Sequence, residues 1–147
     1  MTTPQPQVWP TLTATDARAL ITFLVDAFGF IEVAVHGAGD QIAHAELAWP
    51  LGGGIMLGSE RPDEDRAWRL RPGTFGAYVV TDDPDGLHDR AVKAGATIVQ
   101  GLTDTDYGSR DFIARDPEGN LWSFGTYRGE PRPTAASGDQ LPSRPRA

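Results

Sequence analysis

Hydrophobic and polar positions along the chain change period several times, and they do so in the same order in both halves. Residues 1–7 are polar and proline-bearing and read as a flexible arm before a first strand from about Val8 to Thr13. Leu20, Phe23, Leu24, Ala27 and Phe28 then recur at helical spacing behind Thr15 or Asp16 as N-cap, and Gly29 closes that helix. Three strand-like runs follow, Phe30 to His36, Gln41 to Trp49 and Gly54 to Ser59, separated by turns at Gly37-Ala38-Gly39-Asp40 and at Pro50 through Gly53. Residues 60–72 are charged, carry neither period, and read as a connecting loop whose one bulky apolar member is Trp68.

The second half repeats the order. A strand from Thr74 to Thr81 leads to Asp83-Pro84, an N-cap followed by proline in the first turn, and to an apolar stripe of Leu87, Ala91 and Ala94 ended by Gly95. A short strand near Thr97 to Gln100 and a loop to Gly108 precede a hairpin in which SRDFIAR and NLWSFGTY flank Asp116-Pro117-Glu118-Gly119. Residues 128–147 are rich in Pro, Ser, Gly and charge and read as a disordered tail. An offset of 67 carries Asp16 onto Asp83, Gly58 onto Gly125, Ile55 onto Trp122 and Leu57 onto Phe124. The expectation is an α+β fold of two tandem βαβββ modules, 8–59 and 73–127. With one helix per four strands, each module leaves one sheet face uncovered, and together they form a curved, half-barrel-like mixed sheet with a concave ligand cleft.

The stretches TDARALITFLVDAFGF, HAELAWPLGGGIMLG, YGSRDF and DPEGNLWSFGTY resemble the vicinal oxygen chelate superfamily, in its glyoxalase/bleomycin resistance branch, from about Val8 to Tyr127. The resemblance implies this fold, which hosts metal isomerases, epimerases, dioxygenases, thiol transferases and metal-free drug-binding proteins. Its enzymes carry His, Glu or Gln at inward positions on the first and fourth strands of each module. By motif and by the repeat those positions fall on Trp9, Met56, Gly76 and Ser123. None supplies a usual ligand for a divalent cation, so the expectation is no metal, no cofactor and no catalytic residue.

Strand parity points Trp9, Thr11, Met56, Tyr78 and Ser123 into the cleft, with His44, Glu46 and Asp111 as polar tips and Trp68 above it as either a cover or a loop anchor. Such a lining suits an aromatic or cationic small molecule through stacking, sulfur–aromatic and cation–π contacts. Trp49 and Trp122 belong instead to the helix-side core. His36 and His44 lie on neighbouring strands with Glu46 on the face of His44, which leaves open an atypical facial metal site, whereas His88 reads as exposed on its helix.

Charge and composition narrow the partners. Thirteen Lys and Arg against twenty Asp and Glu give a formal charge of -7, which disfavours nucleic acid and anionic membrane surfaces and attracts cations. The absence of cysteine removes thiolate chemistry, thiolate metal sites and disulfides. MTTPQPQVWP has no basic-then-apolar leader pattern and no run is long enough to span a bilayer, so the expected location is cytoplasmic. The leading reading is a metal-free protein that sequesters an antibiotic or other natural product in the cleft of a homodimer, as the resemblance suggests. The alternatives are a metal-dependent glyoxalase, dioxygenase or isomerase-type enzyme with an atypical site, and a protein-binding module whose cavity is filled by its own side chains.

Overall fold

The computed structural model describes residues 5–61, 67–131 and 133. Two acidic side chains start its helices. Asp16 Oδ1 accepts from the Ala19 amide at 3.1 Å ahead of α1 (Ala17–Phe23), and Asp83 Oδ1 accepts from the Gly86 amide at 3.0 Å ahead of α2 (Pro84–Lys93), so each cap satisfies an amide that the first turn leaves open. α1 runs on into a wider π-helical turn (Leu24–Phe28), closed by Gly29 at φ 88°. Arg90 of α2 donates to the Asp26 carbonyl at 2.8 Å and to that of Val25 at 3.0 Å, so one guanidinium serves carbonyls near the end of the turn and ties the two helices together.

The first module comprises β1 (Thr11–Ala14), α1, β2 (Ile31–Ala38), β3 (Gln41–Ala48) and β4 (Gly54–Ser59); the second comprises β5 (Gly76–Val80), α2, β6 (Thr97–Asp104), β7 (Arg110–Arg115) and β8 (Leu121–Gly125). Hydrogen bonding leaves two open four-stranded mixed sheets, ordered β1-β4-β3-β2 and β5-β8-β7-β6. The expected α+β architecture is the one observed, and the repeat holds in register. Thr11 pairs with Met56 as Tyr78 pairs with Ser123, and His36 pairs with His44 as Thr103 pairs with Asp111. Every one of these positions differs from its counterpart by 67.

The modules share one core. Phe28 and Phe30 of the first half meet Trp122 and Phe124 of the second, with Phe28 and Phe124 ring centroids 4.7 Å apart and those of Phe30 and Trp122 5.5 Å apart. Trp49 donates its indole N–H to the Val80 carbonyl at 2.8 Å, and Glu118 at the β7–β8 turn accepts from the Thr15 and Asp16 amides at 2.7 and 2.9 Å. Trp122 is wholly buried and Trp49 packs against the same cluster, as expected of both.

Several boundaries differ from those read in the sequence. β1 begins at Thr11, not Val8, because Pro10 has no N–H to give a ladder; its carbonyl still accepts from the Met56 amide at 3.0 Å. Gly37 and Ala38 extend β2 instead of turning, since a Cβ at Gly37 would strike the Gln41 carbonyl and only glycine lets the strands close up there; the turn is Gly39-Asp40. β3 ends one residue before Trp49. β6 continues to Asp104, where a loop was expected, because register shifts after Ile98 and Gln100 re-align a polar edge segment with β7. The arm at 1–7 and the loop at 60–72 are described in part, and most of the tail at 128–147 lies outside the described residues. Among the described residues no helix is long and apolar enough to cross a membrane.

Candidate ligand-binding faces

Alternation in the first sheet sends Leu12, Ala14, Ala45, Leu47, Ile55 and Leu57 into the core, and so turns Thr11, Thr13, His44, Glu46 and Met56 to the opposite face. Thr11, His44, Met56 and Trp68 line one cavity there of about 190 Å³. Four residues read from the sequence as ligand contacts thus come together. Trp68 is 68% exposed at this cavity, a position that fits a cover better than a buried anchor. Trp9 lies just outside β1, against Gly54, where an added Cβ would come within 2.9 Å of its ring. Trp9 and Glu46 line an adjoining open recess under residues 5–8. His44 Nε2 donates to Glu46 Oε2 at 2.9 Å, so a single hydrogen bond bridges residues of the two depressions. His36 stacks beside His44 with centroids 6.4 Å apart.

On the second sheet the same parity presents Tyr78, Ser123 and Asp111. Asp111 pairs with Gly125 across β7 and β8, and a side chain at Gly125 would collide with Asp111 Oδ1 and approach the Tyr78 hydroxyl to 2.8 Å. Glycine there is what lets the carboxylate and the phenol lie over β8. The Ser109 hydroxyl donates to Asp111 Oδ1 and the Tyr107 hydroxyl reaches Oδ2 at 3.4 Å; the Tyr78 hydroxyl donates to the Tyr127 carbonyl at 2.7 Å. Burial first, and the nearby Asp111 charge after it, raise the Tyr78 phenol above its ordinary pKa of 10. Ser123 sits half-buried between Tyr78 and Ile113. Tyr78 also lines a crevice of about 320 Å³ that includes Pro10, Trp49 and Gly54 of the first module.

Trp9, Thr11, His44, Glu46, Met56 and Trp68 therefore gather on one sheet, and Tyr78, Asp111 and Ser123 on the other. Sequence reading missed Tyr107, Ser109 and Tyr127 around Asp111. Their signal was present in the motif stretch, but only the β6–β7 loop and the end of β8 bring them to one carboxylate.

The four metal positions implied by family resemblance, Trp9, Met56, Gly76 and Ser123, do not pair directly with one another across the sheets. Met56 is paired with Thr11 and Ser123 with Tyr78, two residues beyond Trp9 and Gly76, because Gly76 stands opposite Leu121 and Trp9 precedes its strand. Either set offers hydroxyl, phenol, thioether or no donor in place of imidazole and carboxylate, and such a set does not fit a divalent cation. Among the described residues no three His, Cys, Asp or Glu side chains form a group able to hold a metal. His88, expected to be exposed, is half-buried with its ring edge-on to Phe112 at 5.2 Å, since α2 packs on β7.

With fold, repeat and uncovered faces established, the relationship is direct. The Glyoxalase/Bleomycin resistance protein/Dioxygenase superfamily model matches residues 7–124, and the chain belongs to that superfamily. An uncharacterized protein of Mycobacterium bovis is 34% identical over 127 residues, covering 82% of this chain and 83% of its own. An uncharacterized protein of Mycobacterium tuberculosis is also 34% identical over 127 residues, covering 82% of this chain and 74% of its own. Among solved structures, TioX from Micromonospora sp. ML1 is similar at a TM-score of 0.65 and 31% identity, over 80% of this chain and 97% of that one. An integron cassette protein from the mobile metagenome of Vibrio cholerae, at a TM-score of 0.64 and 22% identity over 86% and 98%, shares the fold.

Proposed function

We propose that this chain is a metal-free small-molecule binding protein that sequesters an aromatic or cationic natural product, acting as a cytoplasmic homodimer. The observation that carries this reading is the cavity on the first sheet, where Trp68 and Met56 supply stacking and polarizable surface while Thr11 and His44 supply hydrogen bonds. The donor chemistry at the family's metal positions supports binding over metal catalysis. Aromatic contacts of this kind contribute about 0.5–1.5 kcal/mol each beyond area burial.

Isothermal calorimetry against a panel of intercalating and glycopeptide-type antibiotics is expected to find at least one ligand with a Kd below about 10 μM. Trp9→Ala and Trp68→Ala are each expected to weaken that ligand by about fivefold or more, the equivalent of about 1 kcal/mol. Silence across the panel overturns the proposal. One observation favours a second reading, an enzyme with an atypical metal site: the His44–Glu46 hydrogen bond, with His36 stacked beside it. Metal analysis of protein purified without chelator separates the two, because stoichiometric Mn, Fe, Zn or Ni lost on His44→Ala would replace the binding proposal with the enzymatic one.

A further inference from the structure

Among the described residues two carboxylates are buried, and their surroundings differ in kind. Asp116 accepts four N–H bonds, from the Glu118 and Asn120 amides, Asn120 Nδ2 and Trp122 Nε1, all at 2.9–3.0 Å. That shell accounts for the acceptor sites of a carboxylate. Asp111 is 9% exposed yet, among the described residues, receives two hydroxyls, from Ser109 and, at 3.4 Å, from Tyr107. Its neighbours in sequence and on the surface do not neutralise it. Arg110 is held by Asp85 at 2.8 Å and Asp104 at 3.1 Å, and Arg128 is held by Asp82. A buried charge left with two neutral donors is costly, and a cation brought to it recovers that cost.

We propose that Asp111 and the tyrosines around it form a site for the ammonium group of a small organic molecule. This rests on the ligand-binding reading above and names the ligand's charged end. The Tyr107 hydroxyl reaches the carboxylate and the Tyr78 hydroxyl lies beside it over Gly125, while the Tyr127 amide donates to the Ser109 hydroxyl and its ring meets that of Tyr107 edge to face at 5.5 Å; aromatic faces attract cations. Tyr127 hydrogen-bonds Glu130 at 3.1 Å, which adds a further carboxylate at the rim. Tyr107 is the outer wall: it lies in the turn between β6 and β7, is 64% exposed, and makes the longest bond to Asp111. An ammonium fits better than a guanidinium. A planar fork needs both carboxylate oxygens free to accept side by side, whereas Oδ1 already takes the Ser109 hydroxyl and Oδ2 faces that of Tyr107.

The probe is choline, compared with its uncharged carbon isostere and with sodium chloride at equal ionic strength, titrated into the full chain and followed through backbone amide NMR shifts. Choline is expected to give saturable shifts centred on Ser109, Asp111 and Tyr127, with the isostere about fivefold weaker or more and sodium chloride without effect. Asp111→Asn keeps the shape and removes the charge; it is expected to weaken choline about tenfold and leave the isostere unchanged. Tyr107→Leu changes an exposed side chain and is expected to weaken choline by about threefold to tenfold, which keeps the test open if Asp111→Asn fails to fold. Equal shifts with choline and the isostere, the same shifts with sodium chloride, or full choline affinity in both variants would overturn the site. The antibiotic panel with Trp9→Ala and Trp68→Ala reads the other sheet, so failure here and failure of the binding function are distinguishable.

Discussion

Asp116 shows how much one side chain organises. Its oxygens gather the amides of its own turn, the Asn120 carboxamide and the indole N–H of the fully buried Trp122, while Asn120 Oδ1 accepts from the Phe75 amide at 3.0 Å. Turn, core tryptophan and entry to β5 are thereby fixed together. Asp116→Ala strands several buried N–H groups at once, and a loss of about 3 kcal/mol or more is expected in urea unfolding, with Asp116→Asn retaining part of the stability. The turn itself was legible, since Asp-Pro-Glu-Gly can do little else. That the carboxylate reaches Trp122 was not, because the hairpin must close before residues six apart can meet. His88 makes the same point from the other side: the sequence placed it on the exposed surface of its helix, and only α2 seated on β7 turned it toward Phe112.

At the scale of elements, caps and punctuation were the most readable features. Asp16 and Asp83 each accept from the amide three residues on, and Gly29 and Gly95 take positive φ where the helices end. Asp16→Ala and Asp83→Ala are each expected to cost about 1 kcal/mol in chemical denaturation, with the glycine variants losing only a few tenths. Asp16→Ala leaves the backbone bond to Glu118 in place, so the two losses are expected to be similar despite the extra interlock at α1. Edge strands were read less well. β6 is exposed along most of its length and carries few core residues, so its pairing is set by β7 and by two register shifts rather than by an apolar alternation.

At the scale of the whole molecule, the two proposed ligand faces belong to different sheets, and β1 and β5 each end a sheet with an edge that pairs no strand among the described residues. The proposed homodimer is checked by sedimentation equilibrium, which is expected to give twice the chain mass of 15.8 kDa at micromolar concentration; a monomer throughout that range would require each chain to hold its ligand alone. Net charge acts at this scale too. A formal charge of -7 favours encounter with cations from a distance, while in the proposed sites the contacts at Asp111 and the aromatic cavity select among them.

Sequence by itself determined the duplicated βαβββ order, the helix starts and stops, the core tryptophans and which residues of the central strands face away from the helices. These follow from local rules, the period of a strand or helix, the φ that glycine and proline allow, and a repeat kept at a constant offset. Tertiary structure alone decided what those faces contain. It placed Thr11, His44, Met56 and Trp68 around one cavity, joined His44 to Glu46, paired Met56 with Thr11 and Ser123 with Tyr78, and brought the Tyr107 and Ser109 hydroxyls to Asp111. Those outcomes depend on strand register, on an absent Cβ at Gly125 and on loops whose course no periodicity encodes, and they are where a buried charge acquires, or lacks, its partners.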